Sequence, residues 1–239
     1  MSDPSGSTAF TYDAFGQVVQ EVRTVGAQAH TVGYAYDAAG RLAAMTYPSG
    51  RSVTYARDGQ GRITSVSTRQ DALSPVEDVA TNMAWQPFGP LQSLGYGNGL
   101  TLWKTFDQDY RLDRLLVEDV GVVPSVVFMD RTHGYQDDMN LTHVWDGVNA
   151  ANDQTFWYTA TNRLQNADGA WGDLTFYYDA NGNRTHRILD QGGSVETKVF
   201  SYPSTSNLIF DVETDAVVTR TFAHDAAGNM SADTRGAVA

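Results

Sequence analysis

Large apolar side chains recur in pairs along the chain, two positions apart and just before a short polar stretch. Phe10 and Tyr12 form the first pair, and Tyr34 and Tyr36 form the second. Residues two apart on a β-strand point to the same face of a sheet, so each pair predicts a strand with one apolar face. The polar stretches between these strands predict tight turns.

The pattern belongs to a repeat that runs through the chain. Its clearest copy reads Tyr-Asp-Ala-Ala-Gly-Arg-Leu from Tyr36 to Leu42, and ten copies start at residues 12, 36, 57, 85, 106, 135, 158, 178, 202 and 224. Their variable spacing, about 24 residues on average, fits an array of hairpins better than a rigid solenoid. The motif residues are Tyr12, Asp13, Gly16, Tyr36, Asp37, Gly40, Asp58, Gly61, Trp85, Gly89, Asp107, Tyr135, Tyr158, Tyr178, Asp179, Gly182, Tyr202, Asp225 and Gly228.

Within each copy, the aspartate and the glycine three positions later predict a hairpin turn. Aspartate suits the first position of a type I turn, because its carboxylate accepts from backbone amides two residues on. Glycine then supplies the positive φ that closes a loop of three or four residues. Where Tyr110, Met139 or Ser206 replaces this glycine we expect a different turn, whereas Asn162 tolerates the left-handed conformation.

An aliphatic residue follows two positions after the glycine, and a second apolar residue often comes three positions later. Leu42 and Met45 are one such pair, and Leu91 and Leu94 are another. An offset of three is unusual for a flat strand, whose face repeats every two residues. The sequence therefore predicts a bulge or a sharp bend shortly after each turn.

The composition favours strands and turns over helices. The chain has 23 Asp but 5 Glu, and 14 Arg but 2 Lys, and it also has 22 Gly and 12 Tyr. Glu and Lys are good helix formers, whereas Asp favours turns and caps. We therefore predict an all-β fold of consecutive antiparallel hairpins, forming a large twisted or spiralling sheet that is a partial shell or barrel-like.

Charge and cysteine content narrow the possible partners. A net charge of −12 disfavours nucleic acid, whose phosphates it repels at long range. With no cysteine, disulfide scaffolds, thiol catalysis and iron–sulfur clusters are excluded. The N-terminus lacks the basic and apolar parts of a Sec signal, and no apolar run approaches the length of a membrane span, so we expect no membrane-spanning segment.

The repeat sets the expected domain boundaries. We predict a flexible N-terminus at 1–8, one repeat domain at 9–231 and a tail at 232–239. The spacing is longest around 67–82 and 116–131, which are therefore the expected places for irregular structure.

The repeated Tyr-Asp-x-x-Gly-Arg-Leu unit, with a further glycine-bearing turn from Tyr47 to Arg51, resembles the YD repeats of the Rhs family. This family includes bacterial polymorphic toxins, the encapsulating subunits of Tc insecticidal toxins, and the teneurins. The resemblance implies a long β-ribbon that spirals into a hollow shell around a toxin or other polypeptide cargo, in a secreted or toxin-delivery-associated bacterial protein. It also implies other shell segments or a cargo as partners.

Bacterial members of the family end the shell with a region that releases the cargo by aspartyl autoproteolysis. The sequence shows no such region, and the Asp-Pro-x-Gly string from Asp3 to Gly6 is interpreted as coincidental. The chain is therefore expected to be shell wall only, with no catalytic residue, no cofactor and no metal.

Two groups of residues are candidate chemical sites. The stretch from Asp179 to Asn183 resembles the start of a calcium loop, but Arg184 and Asp190 stand where that loop needs Gly and Glu. A second group, His133, Asp137, Asp138 and His143, is the densest ionisable cluster and includes types that bind metals or transfer protons. Both fall on repeat turns, so the sequence favours solvated turn residues in each case.

The five tryptophans support the alternative function, a carbohydrate- or cell-surface-binding module. Exposed in a row, tryptophans stack on sugar rings, whereas buried ones form sheet core. Trp85 and Trp157 lie at or beside the aromatic position of the repeat, so the sequence favours core. Trp103, Trp145 and Trp171 are the residues through which the alternative would act.

A partial ribbon leaves two unpaired edges, near 10–22 and 222–230. Neither hairpin contains Pro or Lys, which often block edge pairing. We therefore expect the chain to associate edge to edge with itself or with a partner's strand.

Overall fold

The computed structural model describes residues 2–3 and 6–236, almost all of them in strands and the turns between strands. The strands are β1 (Ser2–Asp3), β2 (Gly6–Tyr12), β3 (Val18–Val25), β4 (Gln28–Tyr36), β5 (Leu42–Thr46), β6 (Ser52–Arg57), β7 (Ile63–Arg69), β8 (Glu77–Trp85), β9 (Leu91–Tyr96), β10 (Leu100–Phe106), β11 (Leu112–Asp119), β12 (Val126–Tyr135), β13 (Leu141–Asp146), β14 (Gln154–Tyr158), β15 (Leu164–Gly169), β16 (Gly172–Tyr178), β17 (Arg184–Gln191), β18 (Ser194–Ser201), β19 (Asp211–Thr214), β20 (Val217–His224) and β21 (Met230–Arg235). One 3₁₀ turn spans Ala150–Asn152.

The strands form antiparallel meanders in two compact units, Met1–Asp130 and Arg131–Ala239. In the first unit β1 to β11 pair in sequence order, and in the second the pairing runs from β12 through to β21. Each of these pairings is antiparallel. The predicted all-β class and the consecutive hairpins are confirmed, while the predicted boundary of one repeat domain at 9–231 stays a prediction.

The repeat turns have the predicted geometry. In the turn at Asp37, the Gly40 amide donates to the Asp37 carbonyl at 2.9 Å, and the Asp37 amide donates to the Arg41 carbonyl at 2.8 Å. The Asp37 carboxylate accepts from the amides of Ala39 and Arg41, both at 2.9 Å. Gly40 has a φ of 77°. This is the three-residue loop in which a type I turn is followed by a left-handed residue.

Two of the turns that lack glycine correct the sequence interpretation. Tyr110 and Met139 have φ of 60° and 71°, and their amides donate to Asp107 and Gln136 as the glycine amides do elsewhere. These turns were expected to differ and do not, because the flanking strands impose the loop on whichever residue occupies it. Asn162 is left-handed as predicted, with a φ of 58°. Ser206 also donates its amide to the residue three before it, the Pro203 carbonyl, at 3.1 Å, but its φ is not positive, so this turn differs as expected.

Gly89 shows the opposite: it is a glycine at the repeat position, but it does not have a positive φ. It was expected to carry the positive φ of its turn, but Phe88 carries it instead, at 57°. Pro90 follows Gly89, and a residue before proline is driven to extended backbone. Pro87 stands before Phe88, and proline followed by a positive-φ residue is the order of a type II turn.

We expect Met139→Gly to stabilise the protein. A side chain in the left-handed region costs about 1–2 kcal/mol, and glycine relieves that cost. Met139 is 65% exposed, so its removal loses little packing. Urea denaturation should therefore show a free energy of unfolding higher by about 1 kcal/mol.

Gly16→Ala is the matched control, because it makes the opposite change, from glycine to a residue with a side chain, at the same position of another turn. Gly16 has a φ of 79°, and an added Cβ would meet nothing within 4 Å, so only the backbone conformation is tested. We expect a loss of about 1 kcal/mol. A destabilised Met139→Gly would mean that the methionine side chain holds this turn by contacts of its own.

The predicted bulges are present. After the turn at Asp37, Tyr36 pairs with Leu42 but Ala35 pairs with Ala44, so Ala43 is an extra residue. Because of it, Leu42 and Met45 face the same side despite their offset of three. The corresponding extra residues in the described part of the chain are Val19, Ala43, Thr64, Gln92, Asp113, Thr142, Gln165, Thr185 and Ser231.

Each unit is a single layer, in which strands make extensive contacts only with the strands next to them in sequence. The chain exposes 15303 Å², whereas a compact monomer of 26.1 kDa exposes about 10,600 Å². The core of the first unit is small and lies around Ala80, Leu94 and Leu102. In the second unit Ala167 and Val212 are buried.

The two long gaps in the repeat do contain the longer loops. Residues 70–76 connect β7 to β8, and residues 120–125 connect β11 to β12. The remainder of 67–82 and 116–131 is strand, so the irregular structure is shorter than the predicted ranges. Sequence reasoning missed a third irregular stretch, at 202–210 between β18 and β19.

Candidate functional site

The repeat turns of each unit line up along one edge of its sheet. Successive turns of a meander alternate between two edges, and each repeat contributes one further hairpin between its own turn and the next. In the first unit the turns at 13–17, 37–41, 58–62, 86–90 and 107–111 therefore share an edge, which we call the turn row.

In several copies an aromatic side chain bonds the repeat to the one before it. The Tyr36 hydroxyl donates to the Val18 carbonyl at 2.8 Å, and the Tyr178 hydroxyl donates to the Leu164 carbonyl at 2.7 Å. In both cases the acceptor is the aliphatic residue that begins the strand after the previous turn, directly before the bulge. We call this series the aromatic ladder.

Other residue types occupy the same rung when tyrosine is absent. Trp85 donates its indole N–H to the Ile63 carbonyl at 2.8 Å. Arg57, which replaces tyrosine in its copy, donates to the Leu42 carbonyl at 3.1 Å. What these residues share is a long side chain that ends in a donor, so a donor can occupy the rung without an aromatic ring.

The turns themselves are bonded one to the next. Gln17 donates to the Gly40 carbonyl at 2.8 Å, and Arg62 donates to the Gln86 carbonyl at 3.3 Å. In the second unit Arg163 donates to the Asp179 carbonyl at 3.1 Å. The residue after the glycine position thus reaches the following turn, which explains why polar residues recur there.

Within a turn, the same residue pairs with the turn aspartate. Arg41 Nε lies 2.8 Å from Asp37 Oδ2, and Arg111 Nε lies 2.6 Å from Asp107 Oδ2. Hydrogen bonds from Arg41 hold the pKa of Asp37 below its usual range. The bond from the Arg41 backbone amide contributes most, and the bond from the Arg41 side chain adds to it. At Asp179 the Asn183 side-chain amide is the main cause of a lowered pKa. The turn aspartates are therefore ionised structural acceptors.

We expect Tyr36→Phe to lower the free energy of unfolding by about 1 kcal/mol, since the Val18 carbonyl loses its donor. Tyr12→Phe is the control, because Tyr12 belongs to the first copy, is 57% exposed and has no hydrogen-bond partner in the part that the structure describes. Guanidinium titration of both variants gives the comparison. Equal losses would show that the ladder hydroxyls add nothing to stability.

Asp146 forms the most enclosed polar site of the second unit. Its carboxylate accepts from the amides of Val148 and Asn149 at 2.9 and 3.1 Å, from the Asn152 side chain at 2.9 Å, and from Arg131 at 3.1 Å. These donors, led by the Asn152 side chain, lower its pKa. The carboxylate has its full set of donors, so the site holds the loop after β13 together.

The structure does not bring the candidate ionisable cluster together as a metal site. His143 stacks on Trp145 with ring centroids 3.9 Å apart and pairs across the strands with Gly134. Asp138 lies near Tyr158, whose pKa is raised by burial and by that carboxylate. Over residues 2–3 and 6–236, no group of three metal-ligating side chains has the required arrangement. The Asp179 carboxylate is engaged by its own turn.

The prediction that the tryptophans form core is wrong for three of them. Trp103, Trp145 and Trp157 are 43%, 52% and 45% exposed, because a single-layer sheet cannot bury both faces. Trp85 is partly buried at its rung. Trp171 donates its indole N–H to the Ala167 carbonyl at 3.3 Å, and its ring lies beside Gly169.

A large groove lies on the turn row of the first unit, between its first two repeat turns. It measures about 680 Å³ and is lined by Phe15, Gln17, Tyr36 and Asp37 among others. Its polar groups are those already bonded within and between the turns.

Within the described ranges, no helix is long and apolar enough to cross a membrane.

A family model for the RHS repeat matches residues 31–72, which span the copies at Tyr36 and Arg57. Residues 31–72 carry the Rhs repeat. The resemblance inferred from the sequence is confirmed, and the match includes the turns at Asp37 and Asp58. A comparison with curated proteins by sequence gives no match.

Solved structures share the fold of this chain. TcdB2-TccC3-Cdc42 matches with a TM-score of 0.77 at 13% identity, over 97% of this chain and 14% of that chain. TcdB2-TccC3 without its hypervariable C-terminal region matches with 0.78 at 14% identity, over 99% and 15%. A Photorhabdus luminescens Tc holotoxin pore with a TccC3 mutation gives 0.77 at 14% identity, over 99% and 14%. The chain thus spans about a seventh of the length of these proteins.

Proposed function

We propose that this chain is a segment of the wall of an Rhs-type β-shell that encloses or scaffolds a polypeptide cargo. The observation that carries the proposal is the single-layer sheet of Rhs-type hairpins, which matches TcdB2-TccC3 structures over nearly its whole length. A layer with two accessible faces suits a wall, because one face can meet a cargo while the other meets solvent.

The aromatic ladder and the turn row support this role. Both join each repeat only to its neighbours, so hairpins can be added without changing the contacts of those already present. A wall built in this way grows by repetition and needs no central core.

The proposal assigns no catalytic residue and no cofactor, and it makes other shell segments or the cargo the partners. It places the protein among secreted or toxin-delivery-associated bacterial proteins. Nucleic acid is not proposed as a partner, because the chain's charge of −12 opposes it.

The sequence on either side of this segment in its native gene is the first test. A protease core and a toxin downstream would support the wall, whereas stop codons at both ends of the segment would contradict it. The second test is limited proteolysis of the full native product. A cargo inside a wall resists protease until the shell is unfolded, and a cargo that is cleaved at once lies outside.

A carbohydrate- or surface-binding module is the second candidate, and the exposure of Trp103, Trp145 and Trp157 favours it. Trp145 is the best placed, since it stacks with His143 on an open face. Glycan-array binding that disappears in Trp145→Ala would support this function. No signal on any glycan, with native folding shown by circular dichroism, would reject it.

Association is expected if the segment has free edges. Strand β21 pairs with β20, and all six residues of β21 are exposed. Backbone pairing is short-ranged, while repulsion from the net charge is screened over about 8 Å at physiological salt. Light scattering should therefore show larger species as salt rises. A strict monomer at high salt and tens of micromolar would show that the edges are closed.

A further inference from the structure

Five cationic side chains converge on one face of the second unit, although the chain as a whole is strongly acidic. They line a groove of about 430 Å³, together with Phe200 and Val212. We call this the cationic groove, and its members are Arg184, Arg187, Lys198, Arg220 and Arg235.

The pairing register explains why these residues share a face. Arg187 lies directly opposite Lys198, and Arg220 lies directly opposite Arg235. Phe200 and Arg220 both lie opposite Val212, one on each side of it. Directly opposed residues of antiparallel strands point to the same side of the sheet.

The bulge at the turn of Tyr178 brings in the fifth cation. Tyr178 pairs with Arg184 and Phe176 pairs with Arg187, so the extra residue Thr185 places both arginines on one face. Without the bulge, an offset of three would send Arg184 to the other side.

Aromatic rings hold the guanidinium groups in place. The Arg184 guanidinium carbon lies 4.5 Å from the centroid of Phe200 and 5.6 Å from that of Phe176. Arg220 lies 4.9 Å from the centroid of Phe222. Cations stacked on rings are ordered before a ligand arrives, which reduces the entropy lost on binding.

The groove is not neutralised by its own carboxylates. Arg187 pairs with Glu196 at 2.7 Å, and Arg220 pairs with Asp233 at 2.7 Å. In the described part of the chain Arg184 and Arg235 have no carboxylate within ion-pair distance. Five cations and these two carboxylates leave a charge of +3, against −12 for the whole chain.

We propose that the cationic groove binds an acidic segment of polypeptide in an extended conformation. The groove crosses β17 to β21, which is about 19 Å at 4.8 Å per strand and fits about six extended residues. Its floor carries Phe200 and Val212, which suit apolar side chains between the acidic ones. The proposal deepens the proposed wall, since it gives the chemistry of a segment that one face would hold.

Polypeptide is favoured over nucleic acid by the charge around the groove. Outside it the chain carries a large negative excess, which repels a long polyanion with a charge about every 1.7 Å but tolerates a short acidic segment confined to the groove. Guanidinium groups bind carboxylates through two parallel hydrogen bonds, so the two unpaired arginines provide the specific contacts.

The test uses the whole chain and a labelled hexapeptide that alternates Glu and Leu, with a Gln-for-Glu peptide as the uncharged control. Fluorescence anisotropy should show binding of the acidic peptide only, weakening as salt rises. The double variant Arg184→Gln/Arg235→Gln should raise the Kd about tenfold or more. Arg23→Gln/Lys104→Gln, which removes the same charge from the first unit, should change it less than about twofold.

The single variant Arg235→Gln is the control for a folding defect, because Arg235 lies on the exposed last strand. This variant should weaken binding and leave the circular dichroism spectrum unchanged. The proposal is overturned if the acidic peptide does not bind at millimolar concentration, or if both double variants weaken it equally. Tighter binding of a single-stranded oligonucleotide, or competition by inorganic phosphate at equal concentration, would also overturn it. The readout involves no cargo and no shell, so its failure leaves the proteolysis test of the wall untouched.

Discussion

Gly97→Ala is expected to destabilise the first unit by about 2–3 kcal/mol, because an added methyl group has no room. A Cβ at this position would lie 1.8 Å from the Asp78 carbonyl oxygen, and that oxygen is backbone that cannot rotate away. The Gly97 amide also donates to the Val79 carbonyl at 3.0 Å, so Gly97 cannot withdraw without losing a bond. Chemical denaturation followed by tryptophan fluorescence measures the loss.

Gly59→Ala is the matched control. Gly59 does not have a left-handed φ, and an added Cβ would meet nothing within 4 Å. The alanine reduces the freedom of the unfolded chain, so this variant should be neutral or more stable by about 0.4–1 kcal/mol. If Gly97→Ala behaved like Gly59→Ala, β8 would have to be free to move away from the turn at 97–99.

Acid is expected to unfold this protein over a narrow range below about pH 4, where several turn aspartates become protonated together. Hydrogen bonds lower the pKa of Asp37, Asp179 and Asp225, mainly from the Arg41 amide and from the Asn183 and Asn229 side chains. At Asp58 and Asp107 burial raises the pKa, but the arginine and amide donors together outweigh it.

The sign follows from the direction of these changes. A carboxyl group whose pKa is lower in the folded state contributes stability above its unfolded pKa of about 3.9, and that contribution is lost as pH falls through the folded value. The melting temperature should therefore be flat from pH 7 to about 5 and fall steeply below 4. Thermal melts across a pH series measure it.

Substitution by asparagine separates charge from shape. Asp37→Asn/Asp58→Asn/Asp107→Asn keeps an acceptor oxygen in each turn but removes its charge. We expect a melting temperature lower by roughly 5 °C at pH 7 and a shallower acid limb. An acid limb of unchanged steepness would assign acid unfolding to other carboxylates.

Asp168→Asn should act in the opposite direction. Burial, and then the facing Asp173, raise the pKa of Asp168, so its ionised form opposes folding at neutral pH. Removing the charge should raise the melting temperature at pH 7, and the gain should vanish near pH 3, where aspartate is protonated as well. A gain that persists at pH 3 would come from packing and not from charge.

Local features of the fold could be predicted from the sequence because each repeat encodes its own turn. Asp37 and Gly40 specify a loop through bonds that lie within five residues, and the offset between Leu42 and Met45 indicates the bulge. The turns at Tyr110 and Met139 could not be predicted by that rule, because there the paired strands override the preference of a single residue.

Exposure and long-range pairing were harder to predict. Trp145 and Trp157 have the large apolar side chains that are typical of a core. Whether they are buried depends on a second layer packed against the sheet, and the pattern along a strand does not show whether such a layer is present. The cationic groove depends on the register of five strands, and its cations are distributed along the sequence from Arg184 to Arg235. The sequence nevertheless contains one indication of the groove, because Arg184 and Arg187 lie on either side of the position that forms a bulge in the other copies.

The aromatic ladder has a direction, as a polymer has two unlike ends. The bonded rungs at Tyr36, Trp85 and Tyr178 all donate to the repeat that precedes them. A hairpin that continues the ladder must therefore offer a backbone acceptor on one side and a side-chain donor on the other. Such a contact joins two different surfaces, so it can be repeated from one hairpin to the next.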